Sequence, residues 1–374
     1  MSSRALGFAR PLVQRDHQVK LFMPPWQTAD EADRSWREDG VELRYTPLKG
    51  GPIGIARQLI RETFQWEPDV VHCFKPKAYS GLVAWWIWQF HKKRVRLIVD
   101  SDDWEGAGGW NSRAPYSPAQ KKFFSWQEQW GMSHCHTLTV ASRTLESIAW
   151  SQGIEPKRVI YLPNGAGIAL DGSAAPSETV RFKRQELGIG ELPILLLYSR
   201  LFEFDTARLV KILAAVKAAV PDVAIISIGE SLFASDRANM RYEIGEAGLT
   251  DAIIDLGWVA LDHLPHYLGI ADVGIYLMDD TLINRTKCPV KLADMIAMGI
   301  PVVAESVGQV SEYILNGQSG ILHPTGDVTN IINDIVNLLQ DESKRRRMSA
   351  NAREHYWQTF SWRRLAVRLE QAYG

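Results

Sequence analysis

The chain has 374 residues, 46% apolar and 23% charged, with a formal net charge of −1 at pH 7. These values suit a globular protein of two ordinary domains, and the near-neutral balance removes any global electrostatic case for nucleic acid. Cys73, Cys135 and Cys288 share no metal spacing or disulfide framework, and the sequence shows neither a signal peptide nor an apolar run long enough to span a bilayer, so it reads as cytoplasmic.

In chain order, "ALGFARPLVQRDH" predicts a helix, and "QVKLFM" (18–23), "DVVHCF" (69–74), "RLIVDS" (96–101), "TLTVAS" (137–142) and "VIYLPN" (159–164) predict strands. Helices fall between them, including "SGLVAWWIWQFHKK". The small, polar stretch at 166–180 lacks apolar periodicity and predicts a linker, extending to 190. Beyond it the alternation is regular. "PILLLYSRL" (193–201), "VAIISIG" (223–229), "AIIDLGW", "VGIYLMD", "PVVAE" and "GILHP" predict strands separated by amphipathic helices, among them 206–220. Short apolar runs alternating with helices predict parallel sheets covered on both faces. The fold class is therefore α/β, two doubly wound Rossmann-like domains at 1–165 and 191–360, with a cleft facing the C-terminal ends of their strands. In "SWRRLAVRLEQAYG", Trp362, Leu365, Leu369 and Tyr373 form one helical stripe. The segment 361–374 is expected to return to the first domain.

"NRTKCPVKLADMIAMGIPVVAE" (284–305) follows a predicted strand ending at Asp279 and places Lys287 and Lys291 around a helix start near Pro289. Positive charge opposes the helix dipole there, whereas a bound phosphate would be favoured by it. Asp294, one turn inside, is expected to accept from ribose hydroxyls. The structural alternative is a surface helix with incidental lysines.

In the first half, "DSDDWEGAGGWN" (100–111) places Asp102, Asp103 and Glu105 at a strand's C-terminal end. A carboxylate there can orient or deprotonate an acceptor hydroxyl, and glycines let backbone approach a ligand. The alternative is an Asp-rich turn capping the next helix. Lys75 and Lys77 of "HCFKPK" end another strand and are candidates for an acceptor phosphate, or simply solvated lysines. "WWIWQFHKKRVR" (85–96) joins aromatics to Lys92, Lys93, Arg94 and Arg96, either touching an anionic membrane or forming a buried helix with a solvated basic end. His134, Cys135 and His136 make no metal site.

"KLADMIAMGIPVVAESVGQVSEYILNGQSGILHPTGD" resembles the donor half of GT-B glycosyltransferases of family 4, the glycosyl transferases of group 1, which are retaining enzymes. "YSRLFEFD" (198–205) is similar to their first strand and the turn bearing a phosphate-binding arginine, here Arg200. "IADVGIYL", the terminal "FSWRRLAVRLEQAY", and in the first half "QRDHQVKLFMPP", "EPDVVH", "TVASRTL" and "VIYLPNG" also match. The resemblance implies a nucleotide-sugar donor bound by Arg200, Glu230, Thr286, Lys287, Cys288, Pro289, Val290, Lys291 and Asp294. The acceptor side is placed at Lys75, Lys77, Asp102, Asp103, Trp104 and Glu105, and catalysis at Asp102, Asp103, Arg200 and Lys291. It implies no cofactor and no metal, because arginine, lysine and a helix N-terminus meet the charge of the leaving diphosphate. The acceptor would be a glycan, lipid or small molecule, in cell-envelope or polysaccharide synthesis, with peripheral membrane contact at the inner face as an accompanying reading.

The chain departs from the family at three points. Thr286 stands at the first of two signature glutamates, Asp205 stands where a lysine is usual, and "DSDDWEG" replaces a common histidine. Sheets of this family begin with a strand and a Gly-rich turn, so the chain is expected to be truncated at the front. "QVKLFM" would then pair directly with "DVVHCF" or leave a gap beside it. The competing readings are a nucleotide-sugar epimerase and an impaired module that binds nucleotide sugar without turnover.

Overall fold

The apolar runs fold as strands of three sheets in this computed structural model, which describes residues 3–26, 28–168, 177–231 and 234–374. The chain divides into a first unit (Met1–Asn164, Thr286–Cys288 and Trp362–Gly374) and a second (Gly165–Arg285 and Pro289–Ser361).

The first unit runs α1 (Ser3–Val13), β1 (Lys20–Met23), β2 (Ser35–Glu38), β3 (Val41–Tyr45), α2 (Gly51–Gln65), β4 (Val70–Phe74), α3 (Ala78–Phe90), β5 (Arg96–Ser101), α4 (Trp110–Arg113), α5 (Pro118–Ser133), β6 (Thr137–Val140), α6 (Arg143–Ser151) and β7 (Val159–Tyr161). Strands β4-β5-β6-β7 form one parallel sheet, and β1-β3-β2 form a separate one. Strand β3 pairs in parallel with β1 and antiparallel with β2. The β2–β3 hairpin is absent from the sequence reading. Its signal is Asp39-Gly40, whose φ angles of 49° and 80° suit a primed two-residue turn.

Of the two expectations for "QVKLFM", the gap is what the structure has. Strand β1 pairs with β3 rather than β4, and β1 and β4 both line a cavity of about 1040 Å3. Beneath the four-stranded sheet, Val83, Ala84 and Ile87 of α3 pack on Leu97 and Val99 of β5 and Leu138 and Val140 of β6.

The second unit contains α7 (Ser177–Glu186), β8 (Ile194–Tyr198), α8 (Thr206–Ala219), β9 (Ala224–Ile228), α9 (Ala234–Glu246), β10 (Ile253–Asp255), α10 (Leu264–Leu268), β11 (Val273–Tyr276), α11 (Leu282–Thr286), α12 (Val290–Ala297), β12 (Val302–Glu305), α13 (Val310–Tyr313), β13 (Gly320–His323), α14 (Val328–Gln340) and α15 (Glu342–Thr359); α11 ends in the first unit. Its six strands are all parallel, in the order β10-β9-β8-β11-β12-β13. Strands β8, β9 and β11 contribute Leu195, Leu197, Ile225, Val273 and Ile275 to the core, against Leu209, Ile212 and Leu213 of α8. Helix α7 occupies part of the predicted linker: its residues alternate charge with few apolar positions, so periodicity does not reveal it. The linker residues 169–176 lie outside the described residues.

The last helix, α16 (Trp362–Tyr373), belongs to the first unit. Leu365, Leu369 and Ala372 pack with Phe8 and Leu12 of α1, and the Trp362 ring meets Phe8 edge-on at 4.8 Å. Gly7 is required there, since a Cβ would collide with the Trp362 indole.

Each strand flanking the cavity keeps one unpaired edge, whereas β8 is paired on both sides. Amides of residues 20–23 and 70–74 are therefore expected to exchange with deuterium faster than those of 194–198. Hydrogen exchange read by mass spectrometry checks this, and equal protection would contradict it.

Candidate functional site

In the second unit the strand order reverses between β8 and β11, so the loops leaving their C-terminal ends diverge and open a crevice. Those loops are stitched together. The Asp279 N–H donates to Glu203 O at 2.8 Å, and Asn284 Nδ2 donates to Glu203 O at 2.7 Å and Asp279 O at 2.9 Å. Arg200 lies at this edge, two residues past β8, exposed and without an ion-pair partner among the described residues. Leu201 next to it has a φ of 63°, an uncommon conformation for leucine that turns the chain sharply after Arg200. Asp205, at the position where a lysine is usual, caps α8 by accepting from Ala207 N–H at 3.1 Å.

The end of β9 closes in from the other side. Gly229, at φ 118°, has no room for a side chain, because a Cβ would collide with Ser199 O and lie 3.4 Å from Lys291 Nζ. Glu230 follows, exposed, with Arg237 Nη1 3.6 Å from its Oε1. Lys291 Nζ also lies 3.6 Å from the centre of the Tyr198 ring, a cation–π contact. Arg200, Gly229, Glu230 and Lys291 are thus gathered around the ends of β8 and β9.

Helix α12 starts one residue later than expected. Pro289 is its N-cap, so the first helical residues are Val290 and Lys291, whose backbone N–H groups have no acceptor within the helix. Lys287 and Cys288 belong with the first unit, as does Thr286. Thr286 is fully buried and its carbonyl accepts from Ser142 Oγ at 2.7 Å. Cys288 is a buried free thiol whose Sγ accepts from Asn164 N–H at 3.1 Å, and whose carbonyl accepts from Asn164 Nδ2 at 2.9 Å.

Asp294 does not present a carboxylate to ribose in this structure. It is 1% exposed, Oδ1 accepts from Gly167 N–H at 2.6 Å and Ile168 N–H at 3.2 Å, and Oδ2 accepts from Tyr198 OH at 3.3 Å. Its role is to hold the 167–168 backbone and the Tyr198 ring in place. Burial pushes its pKa up to about 7, outweighing the hydrogen bonds from Ile168 and Gly167 and the nearby Lys291.

In the first unit the acidic loop after β5 divides into two ion-pair groups. Lys75 Nζ is 2.9 Å from Asp103 Oδ2 and 3.5 Å from Asp102 Oδ1. Lys77 Nζ is 2.6 Å from Glu105 Oε2 and lies over the Tyr116 and Phe124 rings at 4.6 and 5.1 Å. Lys77 is therefore enclosed by its own chain and not presented to an acceptor phosphate. Trp104 is a core residue, 6% exposed, and Gly106 and Gly109 make room for its indole rather than for a ligand. Asp102 is different. Its Oδ1 is buried and has no hydrogen-bond partner among the described residues, and burial raises its pKa to about 6 against the attraction of Lys75. Within the acidic cluster, Asp102 Oδ1 thus has Lys75 as an ion-pair neighbour but accepts no hydrogen bond.

Three positioning residues, Glu305, Arg208 and Tyr198, escaped the sequence reading. Glu305 is fully buried at the end of β12, accepting from Met278 N–H at 2.8 Å and Gly326 N–H at 2.7 Å. Arg208 Nη2 bridges it, at 3.0 Å, to Asp279 Oδ1 at 2.8 Å. The available signal was a charged residue closing the apolar run "PVVAE" at the edge where ligands bind. Tyr198 carried no such mark, since an aromatic at a strand end is ordinary core chemistry.

Residues 1–165 match the family described as glycosyl transferase 4-like domain, and residues 179–355 match glycosyl transferases group 1. The chain is 23% identical over 367 residues to the GDP-mannose-dependent alpha-(1-6)-phosphatidylinositol monomannoside mannosyltransferase of Mycolicibacterium smegmatis, covering 96% of this chain and 90% of that protein. Among solved structures it is similar to Anabaena HepE in complex with UDP and glucose, with a TM-score of 0.75 at 16% identity, covering 99% and 95% of the two chains. It is also similar to WaaG, a glycosyltransferase involved in lipopolysaccharide biosynthesis, with a TM-score of 0.69 at 15% identity over 98% and 94% of the chains. The structural likenesses establish the fold.

The Asp294 pKa of about 7 lies above the ordinary aspartate value of about 3.9. The stability linked to its protonated form is fully present below the unfolded value and is lost as pH rises through 7. Asp294→Asn keeps an acceptor for Gly167 and Ile168 but does not titrate. The stability of wild type relative to this variant is expected to fall by about 2 kcal/mol between pH 5 and pH 8. Urea unfolding at the two pH values checks this, and a constant difference would contradict it.

Proposed function

The chain belongs to the group 1 glycosyltransferases of the GT-B fold, enzymes that use nucleotide-sugar donors, and from that premise we propose a retaining, metal-independent transfer to a carbohydrate or lipid acceptor. The observation that carries this reading is the convergence of Arg200, the tight Gly229 turn and Lys291 at the ends of β8 and β9 in the second unit. Two cations and the N-terminus of α12 there suit a diphosphate. Charge develops on that diphosphate as the sugar leaves, and the same groups stabilise it without a divalent ion. The acceptor attacks from the face the diphosphate leaves, and the diphosphate assists in taking its proton. Asp102 orients the acceptor hydroxyl, and Asp103 holds Lys75 beside it. Glu230 meets the donor beyond the phosphates. A lipid acceptor would bring the chain to the cytoplasmic face of a membrane.

A panel of labelled UDP- and GDP-sugars, scored by release of free nucleotide, tests the activity, and stereochemistry at the anomeric carbon of the product tests retention. Nucleotide binding without turnover of any donor would indicate a binding module instead. Arg200→Ala is expected to weaken nucleoside diphosphate binding by about 1.5–3 kcal/mol, the range for a hydrogen bond to a charged group. Lys291→Gln is expected to shrink the thermal shift on adding nucleotide. Unchanged calorimetric affinity in Arg200→Ala would remove Arg200 from the site. Transfer is expected to persist in EDTA, and its loss with recovery on adding magnesium would overturn the metal-independent mechanism.

A further inference from the structure

Helix α5 is amphipathic in the wrong sense. Its buried residues are Gln127, Glu128, Gly131 and Met132, while Phe123 and Trp126 are 41% and 44% exposed. The polar residues are inside for a reason. Gln127 Oε1 accepts from Ala78 N–H at 2.8 Å and its Nε2 donates to Ala78 O at 3.0 Å, tying α5 to the start of α3. Both Glu128 oxygens accept from Glu105 N–H at 3.1 Å, which supports the acidic loop. Neither contact requires aromatics on the opposite face.

Those aromatics form a continuous strip. Phe123 stacks on Trp126 at 5.8 Å, Trp126 lies 6.1 Å from Trp130, and Trp130 stacks on His134 at 4.4 Å. His134 meets Trp88 of α3 at 6.0 Å, and Lys92 Nζ lies 4.9 Å over the Trp88 ring. Trp85, 36% exposed, is one helical turn from Trp88. The strip is bordered by Lys121 and Lys122 on α5 and by the exposed Lys92, Lys93 and Arg94 after α3. Helix α3 has no acidic residue, and the one carboxylate of α5 is the buried Glu128.

We infer that this face of α5 and α3 docks the first unit on an anionic lipid bilayer, with the aromatic strip in the headgroup region and the flanking lysines on lipid phosphates. Indole rings favour that boundary because one side is apolar and the N–H is polar. A helix lying in the interface plane needs an apolar face bordered by cations; on α5 the rings from Phe123 to Trp130 extend about 10 Å along the axis, with Lys121 and Lys122 at their N-terminal end. Neither helix carries an exposed carboxylate to oppose an anionic surface, and of the flanking cations after α3 Arg94 faces Glu67 at 3.8 Å. No helix of the described residues is long and apolar enough to cross a membrane, so attachment would be peripheral. Because Glu128 on the inner face of α5 holds Glu105, docking would present the acidic loop close to lipid-borne acceptors.

Co-sedimentation with vesicles of phosphatidylcholine, alone or with one third phosphatidylglycerol, tests this. Wild type is expected to bind the anionic vesicles, more weakly at high salt, and to bind pure phosphatidylcholine poorly. Lys121→Gln with Lys122→Gln is expected to lose about fivefold in partitioning per lysine. Phe123→Ser with Trp126→Ser is expected to lose at least as much, while the circular dichroism spectrum and thermal unfolding profile of both double variants match wild type, showing that they are folded. Failure of wild type to bind anionic vesicles, or binding as tight as wild type by both double variants, would overturn the inference. So would a concentration-dependent dimer that the aromatic variant dissolves, since a second copy would then cover the face. Vesicle binding does not depend on donor turnover, so a failed donor panel and a failed docking surface are distinguishable.

Discussion

Parallel pairing puts the C-terminal ends of all the strands in a sheet on one edge, because the chain must return to the far side of the sheet after each strand. In the second unit this rule alone brings Tyr198, Ile228, Tyr276 and Glu305 to the same rim, although they are separated by up to five intervening helices in sequence. The reversal of strand order between β8 and β11 then opens a crevice among the loops that follow. Everything assigned to donor recognition depends on that arrangement, since Arg200, Gly229 and Lys291 have no relation in sequence spacing.

Buried carboxylates hold the rim in shape. Glu305 joins the end of β11 to the turn at Gly326, and Asp294 joins α12 to residues 167 and 168. In the first unit Asp100 is fully buried and receives two bonds of 2.7 Å from Arg4, which also donates to Asn164 at 2.9 Å. Removing one partner of such a pair would strand the other charge away from water, a penalty of about 3–5 kcal/mol. Charged groups in these positions therefore fix loop geometry more than they add stability. They also account for the limited number of acids left for chemistry: of the carboxylates near the end of β5, Asp100 is committed to Arg4, Glu105 to Lys77 and Asp103 to Lys75, while Asp102 Oδ1 faces Lys75 at 3.5 Å without a hydrogen bond.

The first unit is built on the same alternation, yet its strands separate into two sheets with a cavity between β1 and β4. Its helices carry more aromatic surface than the core requires. The surplus lies on α5, where hydrogen bonding to Ala78 and Glu105 has drawn polar side chains inward and left indole rings outward.

Strand identity was legible because buried parallel strands are short apolar runs, and β1 and β4 to β13 all sit within the runs read from the sequence. The two-domain α/β architecture, the arginine after β8 and the helix near Pro289 were legible for the same reason: local pattern and motif order survive without coordinates. The β2–β3 hairpin was legible in principle, through Asp39-Gly40, but its strands are too polar to stand out. Helix α7 was hidden by its low apolar content. What only tertiary structure decided is which side chains remain available. Asp294 looks like a ribose ligand in the motif, but two backbone N–H groups and a tyrosine hydroxyl 96 to 127 residues away occupy it. Trp104 and its glycines look like a ligand approach, but the indole fills the core itself. Sequence spacing reports which groups a segment carries. Whether a polar group faces a ligand or is consumed by hydrogen bonds within the fold depends on residues far away in the chain, and burial makes those bonds obligatory.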